Sequence, residues 1–387
     1  MVYLSVPDIA TVFDTVVNGR TAAYASAPIT SGLRLFDCLA RFRELNESRP
    51  LQVDDDFKHT VVQANLDDAG RFVAGLRCAI NFPVIDPSRL PSFPEWKQAY
   101  YYALWEAVVR HSCEVAVFID GWEYSSGCTH EYLVAQSAGI ATYDSHLEPL
   151  EPSRGSELIR SAILDLERRG LAPTILATRL QDLRRRAVTQ YDASEHGVGP
   201  DPRELCSLML GCVLPLRSAV FVAAPLCSGG YDLSSGNRRE RIVLRPKQVA
   251  DFSGGRATVR SYGQLVDATR RTFAQPIIDP SRFLPTGWGI RELAEFWAKA
   301  VARHAEKLVL GNDWYFSEEC VLTFCEAVRQ GIEVFDSEYR KLPVEQGIAL
   351  IADASSALDE HSVTRSLLIS AVADLRKQAH GAHRDSR

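Results

Sequence analysis

The chain is written twice, and that constrains its fold more than any single motif. Trp105 and Trp297 stand at the same separation as Trp122 and Trp314, 192 residues. The register runs on without a gap through Ser125 and Ser317, Cys128 and Cys320, Gly139 and Gly331, and Asp144 and Asp336, to Leu183 and Leu375. Upstream, "FPVIDPSRL" from Phe82 answers "QPIIDPSRF" from Gln275, and "YASAPITSG" from Tyr24 answers "FVAAPLCSG" from Phe221. A repeat of this length is a copied domain, so the 387 residues hold two domains of ordinary size.

Each copy has one order of elements. An apolar strand (22–27, or 219–224) enters an Ala-Pro turn and a Ser-Gly loop, and a helix and a short strand ending in Ile-Asp-Pro-Ser follow. Next come an aromatic-rich helix, the strand "EVAVFID" or "KLVLGN", a Trp-containing turn, another helix and a short strand. Strands alternating with helices of this length imply βαβ units and a parallel sheet covered on both faces. The pattern predicts an α/β protein of two tandem doubly wound, flavodoxin-like domains, each followed by two closing helices. The expected boundaries are a helical extension over 1–20, a first copy over 21–188 and an exposed linker over 189–205. A second copy over 206–380 and a disordered tail over 381–387 complete the chain.

Composition narrows the partners. The net charge is −6 with no basic stripe, which argues against a duplex nucleic-acid partner. The longest apolar run, Gly211 to Cys227, is broken by Arg217 and two prolines, so no membrane span is expected. The N-terminal stretch lacks a basic leader and carries Asp8 and Asp14, unlike a signal peptide. Nine scattered cysteines without CxxC or zinc-ligand spacing suit reduced, buried thiols and a cytoplasmic location.

The segment that carries chemistry is "FIDGWEYSSGCTHEYLVAQSAGI", from Phe118. Gly127 reads as a tight-turn residue, with Ser125, Ser126 and Thr129 at a helix start, where free N–H groups and the positive end of the dipole favour an anion. Glu131 falls in the first turn beside Asp120 and Trp122. From spacing alone, capping by Ser125 or Thr129 and dipole compensation by Glu131 explain the pattern more plainly than a ligand site does. Tyr24 reads as strand packing or a base contact, Trp122 as core or an aromatic wall, and His130 as a solvent-facing neighbour of Glu131. Asp86 reads as a structural Asp-Pro-Ser turn or a catalytic acid. Asp120 becomes Asn312 in the second copy, losing its charge together with Glu131, which becomes Thr323.

The series "YASAPITSG", "PVIDPSR" and "DGWEYSSGCTHEYLVAQSAG" resembles the nucleoside 2-deoxyribosyltransferase-like superfamily, which includes nucleoside 5′-monophosphate N-glycosidases. The resemblance covers nearly all of 21–145 and, more weakly, 218–337. It implies a Glu nucleophile, here Glu131, that attacks C1′ of the sugar, and an Asp that positions a sugar hydroxyl or assists base departure, for which Asp120 and Asp86 compete. It further implies that the loop residues Pro28, Ser31 and Gly32, with Tyr24, Trp122, Ser125, Ser126, Gly127 and Thr129, line the substrate site. Neither metal nor organic cofactor is implied.

The second copy has Thr323 for Glu131 and Glu319 for Gly127, so an anion site there should be repelled, misshapen and catalytically dead. A tandem chain with one degenerate half resembles a fused intramolecular pseudo-dimer, open to further homo-oligomerisation. The sequence therefore points to N-glycosidic cleavage of a nucleoside or nucleoside monophosphate, hydrolysis favoured over transfer. The alternative is a non-catalytic nucleotide-binding sensor or regulatory protein on the same scaffold.

Overall fold

The computed structural model describes residues 5–17, 21–44, 57–185, 201–225, 253–360 except 284 and 286, and 366–382. The chain divides into two compact units, Ser5–Asp201 and Pro202–Arg387. The first unit runs α1 (Val6–Ala10), β1 (Ala22–Ser26), α2 (Leu33–Glu44), α3 (Ala64–Ala79), β2 (Val84–Ile85), α4 (Gln98–Ser112), β3 (Cys113–Phe118), α5 (Ser126–Ala138), β4 (Ala141–Tyr143), α6 (Pro152–Arg168) and α7 (Thr174–Arg185). The second runs α8 (Pro202–Val213), β5 (Ala219–Ala223), α9 (Ser253–Thr272), β6 (Ile277–Ile278), α10 (Ile290–His304), β7 (Ala305–Leu310), α11 (Glu318–Arg329), β8 (Glu333–Phe335), α12 (Val344–Glu360) and α13 (Ser366–Ala382).

Both sheets are four-stranded and wholly parallel, in the orders β2-β1-β3-β4 and β6-β5-β7-β8. The expected α/β, doubly wound architecture is thus present in each unit. Every residue of β1 and β5 is buried, as a parallel strand covered on both faces requires. Side-chain alternation then divides the strand between two layers. Ala23 and Ala25, with Val84 and Val117, pack under Val73 and Leu76 of α3. Tyr24 points the other way, where its ring meets Trp105 of α4 at 6.1 Å, and Phe118 of β3 meets Tyr132 of α5 at 5.5 Å. The second unit repeats this: Val220 and Val222 pack with Tyr262 and Val266 of α9, and Phe221 meets Trp297 at 5.6 Å.

Two expected boundaries shift. Helix α1 packs on α4, and its counterpart α8 packs on α10. The helix before β1 is therefore part of the repeat, not an extension of it, even though the two share little beyond apolar spacing. Of the expected linker, 189–200 lie outside the described residues, while Pro202–Leu205 already belong to α8, with Pro202 opening it and Leu205 buried. Of the expected tail, 383–387 lie outside the described residues, and 381–382 end α13. Among the described residues no helix is long and apolar enough to cross a membrane.

Close packing of the closing helices is tested at one glycine in each copy. A Cβ on Gly155 of α6 would overlap the Tyr132 ring, and one on Gly347 of α12 the Phe324 ring. Gly155→Ala and Gly347→Ala should each destabilise their unit by about 1–3 kcal/mol through overpacking, although alanine favours a helix. Urea unfolding of each variant measures this.

Candidate functional site

β1 and β3 are hydrogen-bonded neighbours whose connections diverge, β1 leading through α2 and α3 to β2 and β3 through α5 to β4. In open sheets of this kind, the ends of two strands with diverging connections mark where a ligand crevice is expected. One rim is the β1–α2 loop, the other the β3–α5 loop. In the first, Gly32 has φ +92° and a Cβ there would press on Pro28, so the turn requires glycine. Asn65 of α3 donates to the carbonyls of Ile29 at 2.9 Å and Ser31 at 3.0 Å, pinning this loop. The hydroxyls of Ser31 and Ser125 meet across the rims at 2.8 Å.

Glu131 sits in the second turn of α5 rather than the first, because the helix starts at Ser126 with Ser125 as its cap. A dipole role fades beyond the first turn, and its oxygens turn to β1 instead. The Tyr24 hydroxyl donates to Oε1 at 2.8 Å and the Ser26 hydroxyl to Oε2 at 2.6 Å. Tyr24 and Ser26, two apart on one strand face, are fully buried, whereas Glu131 keeps partial exposure. Burial raises the Glu131 carboxyl above its ordinary range, and the hydrogen bonds from Ser26 and Tyr24 offset part of that. Burial and then the Glu131 charge push the Tyr24 phenol up, so it remains a donor. Burial also holds neighbouring Cys128 as a thiol. The product is a desolvated carboxylate held by two neutral donors, suited to meeting a developing positive charge.

The other expected site residues scatter. Ser125 caps α5, accepting from the Cys128 N–H at 3.3 Å. Thr129 turns its hydroxyl back to the Ser125 carbonyl at 2.8 Å. Ser126 accepts from the Tyr102 hydroxyl at 3.2 Å or donates to it, on the side of α5 away from Glu131. Gly127 is helical, not a tight turn; the turn glycine is Gly121, with φ +82°. A Cβ on Gly127 would meet only the Ser125 hydroxyl, at 3.7 Å, so the helix does not need glycine there. It lies four residues before Glu131, on the same helix face.

Trp122 is buried against Phe118 and Tyr132, with ring centroids at 5.0 and 4.7 Å, and is core rather than a crevice wall. Asp86 caps the turn after β2, accepting from the Ser88 N–H at 3.1 Å. Asp120 is exposed and accepts from Ser145 at 2.6 Å. His130, expected in solvent, is fully buried beside the Tyr102 ring and 3.6 Å from Glu106, because α4 and α7 cover the outer side of α5. Glu123 went unremarked in the sequence; burial and then Asp120 raise its carboxyl. Among the described residues no group of three or more His, Cys, Asp or Glu could hold a metal ion.

The second copy separates scaffold from site. Asp279 caps the same turn, accepting from the Ser281 N–H at 3.1 Å, and Trp314 is buried against Phe324 at 4.8 Å. Asn312 accepts from Ser337 at 2.7 Å as Asp120 does from Ser145, so that position keeps its bond without its charge. The cap survives too: Ser317 has φ −103° and ψ 120° against −97° and 127° for Ser125, so loss of Gly127 leaves the turn undistorted. What changes together is the cluster around Glu131. Register places Phe221 at Tyr24 and Ala223 at Ser26, with Thr323 at Glu131, its hydroxyl spent on the Glu319 carbonyl at 2.7 Å.

A raised carboxyl pKa favours folding below the unfolded-state value, and that contribution is lost as pH rises through the folded-state value. Wild type should therefore lose stability relative to Glu131→Gln as pH climbs from about 4.5, the difference levelling once Glu131 is ionised in the fold. Urea midpoints of both proteins from pH 4 to about 8 report it, and a flat difference contradicts the desolvated state of Glu131. Comparison of the chain with protein-family models, with curated proteins and with solved structures finds no match, so the case for this site rests on its own geometry.

Proposed function

We propose that the first copy cleaves the N-glycosidic bond of a nucleoside or nucleoside 5′-monophosphate, with Glu131 as nucleophile and hydrolysis as the outcome. In the first step a Glu131 oxygen bonds to C1′ as the bond to the base breaks, and the base leaves with the bonding electrons. Water then displaces the carboxylate from C1′ and yields a proton to the departed base, so that sugar and neutral base are released and Glu131 is restored. The observation that carries this reading is the joint presence of Glu131, Tyr24 and Ser26 at the crevice, and their joint replacement in the other copy.

Two features support a phosphate at the 5′ end. The Cys128 N–H is spent on the Ser125 hydroxyl and the Thr129 N–H on the Ser125 carbonyl, which leaves the N–H groups of Ser126 and Gly127 facing the helix start. Gly127, one helical turn before Glu131, also adds no side chain to that face, where Glu319 in the second copy adds a carboxylate.

The test is a panel of nucleosides and nucleoside monophosphates with chromatographic detection of freed base. Wild type should release base from at least one; Glu131→Gln and Glu131→Ala should reduce release by at least about a thousand-fold, and Thr323→Ala should leave it unchanged. Retained turnover in Glu131→Gln removes it as nucleophile. Saturable binding without release supports the non-catalytic nucleotide-binding reading instead. Within the same assay, Gly127→Ala should stabilise the fold by about 0.5–1 kcal/mol while weakening substrate binding, since the helix gains what the crevice loses.

A further inference from the structure

Helix α2 rises directly from one rim of the crevice, yet it is weakly anchored. None of its described side chains, 33–41, is buried, whereas α5 on the opposite rim buries seven. Its ties include polar contacts at its outer edge. Arg34 donates to Asn65 at 2.9 Å and pairs with Asp68 of α3. A turn later Asp37 accepts from Arg169 at 2.6 Å, just past the end of α6. The same guanidinium holds Asp165 at 2.9 Å, and Asp165 accepts from the Tyr124 hydroxyl at 3.2 Å. Tyr124 belongs to the short turn Trp122–Tyr124, next to the cap residue Ser125. One arginine therefore joins α2 on the first rim to the turn that forms the second.

The side chains that form this chain of contacts are replaced in the second copy, as those of the Glu131 cluster are. The residues aligned with Tyr124, Asp165 and Arg169 are Phe316, Ala357 and His361. Packing of the closing helices survives there, as Gly347 against Phe324 shows, so the fold does not demand the clasp. Its pairs are also half-exposed, with side-chain accessibilities of 36% for Arg169 and 44% for Asp37. Exposed pairs are individually weak and screened by salt, which suits a fastening that must release.

We infer that Arg169 is a positioning residue, a clasp that holds α2 against the β3–α5 rim, so that the crevice over Glu131 opens when α2 is released at Gly32 and closes when Asp37 is recaptured. The role in binding rests on the proposed use of that crevice; the clasp itself does not.

Hydrogen exchange on the full chain separates the two. Arg169→Ala should speed exchange of the α2 amides roughly three- to ten-fold and leave those of α5 unchanged. Raising salt from about 0.05 to about 0.5 M should do the same to wild type and add little to the variant. Arg169→Lys should restore part of the protection, and Arg154→Ala, which removes an exposed pair with Glu157 on α6, should change nothing. Unaltered exchange in α2, or acceleration spread evenly through α5 and the sheet, overturns the clasp. Where wild type releases base, Arg169→Ala should raise KM several-fold with kcat within about two-fold, and an unmoved KM overturns the positioning role. If wild type releases none, the exchange result still decides the clasp, and only the glycosidase reading fails.

Discussion

The feature on which the first unit turns is a largely desolvated carboxyl group that, among the described residues, is met by neutral donors rather than by a cation. Glu131 is held by the hydroxyls of Tyr24 and Ser26 alone among its described hydrogen-bond donors. Two neutral donors do not repay the desolvation of a charge, and the raised pKa of the group expresses that deficit. Several other buried polar side chains of the unit serve the fold visibly: Asp86 caps a turn, Ser125 caps a helix and Thr129 bonds back into one. Glu131 also serves the fold, as acceptor for the buried Tyr24 and Ser26 hydroxyls, but it does so with a group whose charged form burial penalises. Carboxyl groups with raised pKa values cluster at functional sites, which is the ground for the role proposed for Glu131.

The duplication supplies an internal control for that argument. Two copies that share strand order, register, turn caps and the buried tryptophan have been held to the same scaffold. Against that background the replacement of Tyr24 by Phe221 and Ser26 by Ala223 deletes only hydroxyls and leaves the packing shape of the strand alone. Donors were removed where the acceptor was removed. By contrast Asp120 and Asn312 keep the same bond to Ser145 and Ser337, so the loss of charge at that position carries no such message.

How much of this could be read from the sequence follows from the range of each signal. The strand–helix alternation is local and repeated, so the architecture was legible in both copies. Glu131 stands out as a candidate in the sequence because its neighbourhood is contiguous, from Trp122 to Gly139. Its partners lie on β1, more than a hundred positions earlier, and only the sheet register brings them to it. Tyr24 reads in the sequence as strand packing or a base contact; its ring does pack, on Trp105, and its hydroxyl donates to the carboxylate, while Ser26 carries no motif of its own. A signal existed, since Tyr24 and Ser26 stand two apart and both lose a hydroxyl in the second copy. For His130 the sequence shows only that it diverges from Glu131 on the helix, and α4 and α7 cover the side to which it turns. The second copy places Leu322 there, an apolar residue that marks the position as covered. For Trp122 the sequence leaves core and aromatic wall open, and the ring turns inward to Phe118 and Tyr132, which makes it core.

The same comparison orders the forces in the crevice by what they can be exchanged for. Apolar contacts change partner readily: Tyr132 and Phe324 fill the same space over Gly155 and Gly347 with and without a hydroxyl. Polar groups buried in the sheet do not, because each donor left without its acceptor costs about 1–3 kcal/mol. Once Glu131 had become Thr323, buried hydroxyls at Phe221 and Ala223 would have faced a side chain whose own oxygen is committed to the Glu319 carbonyl. Their removal relieves that cost. Conversely, Tyr24 and Ser26 are tolerated in the buried core of the first unit because Glu131 is there to accept from them, so the three side chains are coupled through their hydrogen bonds.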